Sequence, residues 1–417
     1  MTGARIGGRF AAPRDPPEPA IRRPTIAVRV LTCLLAALSP VPAGAQAPPP
    51  AGWREATTAF DALLRTDSVV GGTLAYVREG RIQLRHDVGH QDRARQVPLG
   101  ERSVMHWGSV TKTLTAVAIL QLRDQGLLSL DDPVTRWVPE LRQVHNPFGS
   151  MDAITLRMLL SHSSGFQNPT WPYRKYVDWE PFEPTRWEQL VSMMPYQEIR
   201  FAPGSRYGYS NPAFIYLARV IEAITGDPYQ SYIYKNLWIP LGLERSSFGA
   251  TPWRLRPHRS SNFTLVRDSS GVEHLVDNGP EFDPGITIPN GGWNAPVSDL
   301  AGWVGFLTGA AGGNAARGAR FESVLRPSSL AEMWRAVVPV GGASPEQMGL
   351  SFFLRPAGRV TLVGHTGEQA GFRSFVYWNP ETRAAVIGVV NTTNDARPEE
   401  SGRAFTAALE AAVGVLR

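Results

Sequence analysis

The chain has 417 residues, 43% hydrophobic and 19% charged, a globular balance that excludes a disordered or collagen-like polymer. Its formal charge of +5 is unevenly spread: residues 1–45 hold six arginines against Asp15 and Glu18, which leaves the remainder close to +1 and without the basic excess a nucleic-acid partner requires. The single cysteine, Cys33, lies in that same stretch, so the rest of the chain has no disulfide, thiolate metal site or cysteine nucleophile.

In chain order, residues 1–45 read as an export signal. A long arginine-rich start precedes the short apolar run "VLTCLLAAL", and Ala43-Gly44-Ala45 offers a small-residue cleavage site. The run is too short to span a bilayer, so no stable membrane anchor is expected after cleavage, and the destination is periplasmic or extracellular. Residues 46–52, "QAPPPAG", read as a linker. "GGTLAYVREGRIQLRHDVG" (71–89) alternates apolar and polar residues around Glu79-Gly80, a hairpin pattern. Residues 110–125 carry apolar residues at spacings of three and four and stop at Gly126, which predicts a helix. The middle mixes helical stretches, such as 210–226 with its stop at Gly226, with Pro- and Trp-rich loops. Strands return at 359–367, 372–380 and 384–392 as an antiparallel meander, and an amphipathic helix covers about 400–416. The expected fold is therefore α/β (α+β): an antiparallel sheet flanked by helices, built from both termini, with a mainly helical subdomain inserted. Residues 53–417 would form the catalytic domain, with its α/β part at about 53–126 and 286–417 and the helical subdomain at about 127–285.

Three short motifs carry chemistry. The chain holds only three lysines, Lys112, Lys175 and Lys235, and one of them follows Ser109 by three residues at the start of the predicted helix. That spacing puts hydroxyl and amine on one helical face. A serine hydroxyl needs such a base to become a nucleophile, and the helix N-terminus favours both developing negative charge and a neutral amine. The second motif, "GSRYGYSNPAF", places Tyr209 two residues before Asn211. A tyrosine whose pKa a neighbouring ammonium depresses can shuttle protons, and the asparagine can donate to a substrate carbonyl and hold the lysine. The same stretch also reads as a helix start, with Ser210 or Asn211 as cap before Pro212. In the third, "VGHTGEQAGF", Gly367 would let a substrate backbone approach the strand edge, while His365 and Thr366 would meet a substrate carboxylate.

Taken in order, Ser109-x-x-Lys112, Tyr209-x-Asn211 and His365-Thr366-Gly367 resemble the penicillin-recognising serine hydrolases: serine β-lactamases, D,D-peptidases and related esterases. Tyr-x-Asn as second motif resembles the class C β-lactamase branch. "LLSHSSGF" (159–166), "PLGLERSSFG" (240–249) and "GGWNAPVSDLAGWVGF" (291–306) are similar to further landmarks of that family, so the resemblance runs from about 55 to 415. It implies Ser109 as the acylated nucleophile, Lys112 as its base and Tyr209 as the relay to the leaving group. Asn211 would orient substrate and Lys112, His365 and Thr366 would sit beside the substrate carboxylate, and the backbone N–H groups of Ser109 and Glu368 would form the oxyanion hole. The sequence departs from the usual β-lactamase pattern at His365, where lysine is common, and at Ala370, where a proline would precede Gly371 and Phe372.

The implied function is an exported serine hydrolase acting on an ester, a D-amino-acid peptide or a β-lactam, with a small-molecule or peptidoglycan-derived substrate and neither metal nor organic cofactor. An α/β-hydrolase is excluded because no serine has glycine at both flanking positions of Gly-x-Ser-x-Gly. The eight histidines are scattered, which argues against a zinc hydrolase; His86, His90 and His162 read as structural. The aromatic run 171–187 would wall an acyl pocket or pack on the helical subdomain, and Arg373 would meet a substrate carboxylate or stay solvated. The competing class is a catalytically silent penicillin-binding-like module that senses peptidoglycan, from which a missing serine, lysine or tyrosine would be expected.

Overall fold

A computed structural model describes residues 48–166 and 184–417. The expected signal at 1–45, the start of the linker and residues 171–183 of the aromatic run lie outside them.

The linker's last residues turn into the first helix: Trp53 N–H reaches the Pro50 carbonyl at 3.2 Å, and Gly52 caps α1 (Trp53–Thr66) at φ 80°. The hairpin follows as β1 (Gly71–Arg78) and β2 (Arg81–Asp92), with Glu79 and Gly80 at φ 52° and 66° in the turn. After the short strand β3 (Met105–His106) comes a 3₁₀ turn, Gly108–Thr111, which runs directly into α2 (Lys112–Asp124). This is the helix expected over 110–125, and Lys112 through Leu122 are buried on every side of it. Next come α3 (Leu156–Leu160) and α4 (Pro212–Thr225). The Ser210 hydroxyl accepts the Ala213 N–H at 3.3 Å and so starts α4, while Asn211 caps nothing with its side chain; Gly226 ends it at φ 72°.

Past α4 the strands Phe263–Arg267 and Glu273–Asp277 pair with each other, and the first of them also pairs with Thr392–Asn394. A short helical turn, Ile288–Gly291, then leads to β4 (Trp293–Ala295), which pairs with β3, and to α5 (Val297–Leu307). The meander is β6 (Val360–Gln369), β7 (Phe372–Trp378) and β8 (Ala384–Val390), preceded by β5 (Phe353–Ala357); α6 (Pro398–Gly414) closes the chain. These strands belong to a nine-stranded sheet in which β1 pairs antiparallel with β8, so both ends of the chain share one sheet.

Alternation along the strands separates two cores. Leu74, Leu362, Phe375 and Val386 face α1 and α6, whereas Val77, Val363, Val376 and Ile387 face α2 and the segment between. The helices of 112–225 therefore pack on one face only, and that face receives the motif residues.

The β6–β7 turn explains one sequence departure. Ala370 and Gly371 have φ 46° and 79°, a two-residue type I′ loop. Proline holds φ near −65° and cannot occupy the first position. Ala370→Pro should therefore destabilise the protein by more than about 1 kcal/mol, read as a lower urea midpoint; an unchanged midpoint would refute this turn geometry.

Candidate active site

The site begins with a glycine. Gly108 has φ 50°, and a side chain there would come within 2.7 Å of the Glu368 nitrogen. Gly367 meets the same crowding from the other side, since an added Cβ would lie 2.0 Å from the Trp107 carbonyl oxygen. The missing side chains let the turn before Ser109 press directly on the edge of β6. The contact is held by the Ser374 hydroxyl, which donates to the Trp107 carbonyl at 3.0 Å. Gly367 was expected to admit a substrate backbone; the space it leaves is filled by the protein's own Trp107.

This contact sets two amides side by side. Val110 N–H is the first of the 3₁₀ turn to find a helical acceptor, the Trp107 carbonyl at 3.2 Å, so the Ser109 amide precedes the bonded ladder. On β6, Gln369 and Phe372 flank the two-residue loop as the hydrogen-bonded pair, which makes Glu368 and Arg373 the next, non-bonded pair. The Glu368 amide therefore points away from β7, toward Gly108 and Ser109.

Lys112 fills the floor. Its Nζ is 2.9 Å from Ser109 Oγ and 2.8 Å from the Asn290 carbonyl, and the residue has no exposed surface. Burial holds the amine well below the usual lysine range. The expected hold from Asn211 is not what the structure shows: the second partner of Nζ is a backbone carbonyl, and Asn211 Oδ1 is buried without a hydrogen-bond partner among the described residues. The carbonyl is delivered by residues flanking the lysine. Trp293 N–H donates to Thr111 Oγ1 at 3.0 Å, and Thr115 Oγ1 donates to the Pro289 carbonyl at 2.7 Å, pinning the turn on both sides of Asn290. No sequence signal marks Asn290, because the working atom is main chain.

Tyr209 closes the site over the lysine, with Nζ 5.0 Å from its ring centroid and its hydroxyl hydrogen-bonded to Ser109. The expected depression of its pKa is reversed. Burial pushes the phenol up, the Ser109 bond opposes this only in part, and a neutral amine supplies no ammonium to counter it. Tyr209 is thus a protonated phenol.

His365 is corrected in the same sense. Its Nδ1 donates to the Thr366 carbonyl at 2.5 Å, leaving Nε2 as a buried lone pair without a partner among the described residues. Burial first, then the neighbouring Lys112, push its pKa down to about 3. It is neutral at pH 7 and brings no positive charge to a substrate carboxylate. Arg373 is removed from that role by the pleat: it shares a face with Glu368, pairs with its carboxylate at 2.9 Å, donates to Ser401 Oγ at 2.8 Å and stacks on Phe405 of α6. His162 is buried, and its ring stacks on Tyr209. Elsewhere, His86 bonds Asp61 of α1 at 2.7 Å, and Trp187, at the end of the aromatic run, packs against Tyr216 and Arg219 of α4. Among the described residues, no group of three or more His, Cys, Asp or Glu could hold a metal ion, and no helix is long and apolar enough to cross a membrane.

Known proteins resemble this chain in sequence and in fold. A family model described as Beta-lactamase matches residues 56–411. Esterase EstB of Burkholderia gladioli is 32% identical over 56% of this chain and 64% of its own length. Protein flp of Staphylococcus aureus is 24% identical over 81% of this chain; this chain spans 62% of flp's length, about three fifths. Among solved structures, the octameric penicillin-binding protein homologue from Pyrococcus abyssi superposes with a TM-score of 0.68 at 25% identity, covering 86% of this chain and 77% of that one.

Two outcomes follow from the geometry. Gly367→Ala drives a methyl into the Trp107 carbonyl and should cost about 1–3 kcal/mol, with a parallel loss of any Ser109-dependent activity; a variant of wild-type stability would refute the strand contact. The pH dependence has a definite sign. His365 (about 3), His106 (about 4) and His162, also lowered, stay neutral in the fold, while each takes up a proton near pH 6.5 once unfolded. Stability is then full above about pH 6.5 and falls as pH drops toward 4, by up to about 1.4 kcal/mol per histidine per pH unit. Chemical unfolding at pH 7 and 5 should show a smaller loss for His365→Gln than for wild type; equal losses would refute its burial as a neutral group.

Proposed function

We propose that this chain, which belongs to the beta-lactamase family, is a serine acyl hydrolase that works through a covalent acyl-enzyme on Ser109. The observation that carries this is the Lys112 amine, buried 2.9 Å from Ser109 Oγ and held by that burial well below the usual lysine range, which favours its neutral form. An amine in that state accepts a proton, and a hydroxyl at that distance can give one.

The reaction then runs as follows. Lys112 Nζ takes the Ser109 proton as Oγ bonds to the substrate carbonyl carbon. The carbonyl oxygen becomes an oxyanion facing the Ser109 and Glu368 amides, donors commonly worth about 2.7–4 kcal/mol each. The new ammonium is disfavoured by the burial that made the amine neutral, so the proton passes onward through the Tyr209 hydroxyl to the leaving oxygen or nitrogen. The carbon–leaving-group bond breaks and an ester on Ser109 remains. Water, deprotonated by the same amine, attacks that ester; the acid leaves and Ser109 recovers its proton. In this reading Asn211, whose Oδ1 is buried and, among the described residues, unpartnered, flanks the substrate position, whereas Thr366 stands opposite Phe375, on the sheet face turned to α6.

For substrate, an ester, a D-amino-acid peptide and a β-lactam all present an acyl group to this machinery. The neutral His365 favours substrates that carry no carboxylate beside the scissile bond, and the esterase name of the Burkholderia relative supports an ester. Export through residues 1–45 to the periplasm or the exterior belongs to the same proposal. A silent binding module is the competing reading, disfavoured because serine, lysine and tyrosine are present and in contact.

The test is intact mass of the exported protein before and after p-nitrophenyl butyrate or benzylpenicillin, with Ser109→Ala alongside. The starting mass should correspond to cleavage after Ala45. Ester turnover should be lost by about 10³-fold or more in Ser109→Ala and in Lys112→Ala. A penicillin adduct that persists marks acylation without release, and penicillin loss without an adduct marks a β-lactamase. Retained turnover in purified Ser109→Ala would overturn the hydrolase reading in favour of a binding module, and no reaction with either compound would exclude the ester and the β-lactam and leave the D-amino-acid peptide.

A further inference from the structure

We propose that His162 is the positioning residue for Tyr209, holding it through two hydrogen bonds that bracket it and a ring laid on its face; this rests on the hydrolase reading above. His162 lies in "HSSG", just beyond α3. Its φ is 55°, a left-handed region sterically costly for most residues other than glycine and asparagine, so its neighbours must over-determine it. This conformation turns its main chain and its side chain toward the same partner. The His162 carbonyl accepts the Gly208 N–H at 2.8 Å, and Nδ1 accepts the Ser210 N–H at 3.0 Å. Residues 208 and 210 flank Tyr209, so a single residue fixes the peptide on each side of it. The imidazole also stacks on the phenol ring, with centroids 4.4 Å apart and planes 25° from parallel.

The rest of the motif extends the grip. Ser163 and Gly165 carbonyls accept the Gly204 and Arg200 amides at 2.7 and 2.8 Å, so 162–165 clasps the approach to Tyr209 along its length. A core histidine of ordinary kind would need neither the left-handed backbone nor an acceptor aimed at one amide. Nδ1 can accept only while the ring is neutral. The ionisable groups that face it are Lys112, His365 and the phenols of Tyr207 and Tyr209; burial first, then the two basic groups, keep it so. Nε2 is buried without a partner, so the bond to Ser210 is the ring's one hydrogen bond among the described residues.

A residue that acts through a proton relay should matter most where the leaving group needs a proton. Ethyl butyrate releases an alkoxide that must be protonated, whereas p-nitrophenyl butyrate releases a stable phenolate. His162→Phe keeps a stacked ring and removes the acceptor. It should lower kcat/KM on the ethyl ester by about tenfold or more, and on the p-nitrophenyl ester by less than about threefold. In a Tyr209→Phe background the same substitution should add less than about twofold on the ethyl ester, since the group it positions is gone. His162→Asn tolerates positive φ and keeps an acceptor; it should recover part of the ethyl-ester rate, and it carries both comparisons if His162→Phe does not fold. Equal losses on the two esters, full additivity with Tyr209→Phe, or no loss at all would overturn the inference. A wild-type protein inert toward both esters would sink the ester assignment and this inference with it, and that result is visible before any His162 variant is made.

Discussion

The arrangement depends on an amine buried without a counter-charge. A charged group enclosed away from water costs far more than a hydrogen bond returns, so it either finds an ion partner or gives up its charge. Among the described residues Lys112 has no carboxylate bonded to it; its hydrogen-bond partners are a hydroxyl and one carbonyl. That set suits a neutral amine, which can donate to Asn290 and still offer a lone pair to Ser109. Much of the surrounding structure keeps it so: α2 is buried on every side, and threonines on either side of the lysine pin the turn that carries Asn290.

Its neighbours obey the same economy of charge. Tyr209 is held as a phenol, and His162 and His365 as neutral imidazoles, each by burial. The resting pocket is therefore without net charge in its Ser109–Lys112–Tyr209 centre, and the first ion formed there belongs to the reaction. An ammonium created in such surroundings is unstable, which drives its proton toward the leaving group. Local desolvation thus supplies the direction of proton flow, and no fixed cation has to be spent on it.

A second constraint is steric. Two glycines from distant parts of the chain, Gly108 and Gly367, meet where any side chain would collide with main chain. Their contact brings the Ser109 and Glu368 amides to one place, although neither amide is exceptional by itself. The pleat then sorts the remaining groups: Gly367 and Ser374 face the turn, whereas Glu368 and Arg373 face α6.

Local features were legible from the residues alone. The Ser109–Lys112 spacing, the hairpin at Glu79-Gly80, the stops at Gly126 and Gly226 and the meander of β6–β8 depend on neighbours within a few positions, where backbone sterics and periodicity decide the outcome. The family likeness of the three motifs added their order. Contacts between distant segments decided the rest. The acceptor for Lys112 is a carbonyl 178 residues away, and a main-chain atom leaves no trace in residue type. The charge of His365, the raised pKa of Tyr209 and the retreat of Arg373 to the far face all follow from burial and strand register, properties of the assembled core. Side-chain chemistry along the chain names which groups can react; the dielectric and the neighbours that set their protonation exist only once the chain has closed around them.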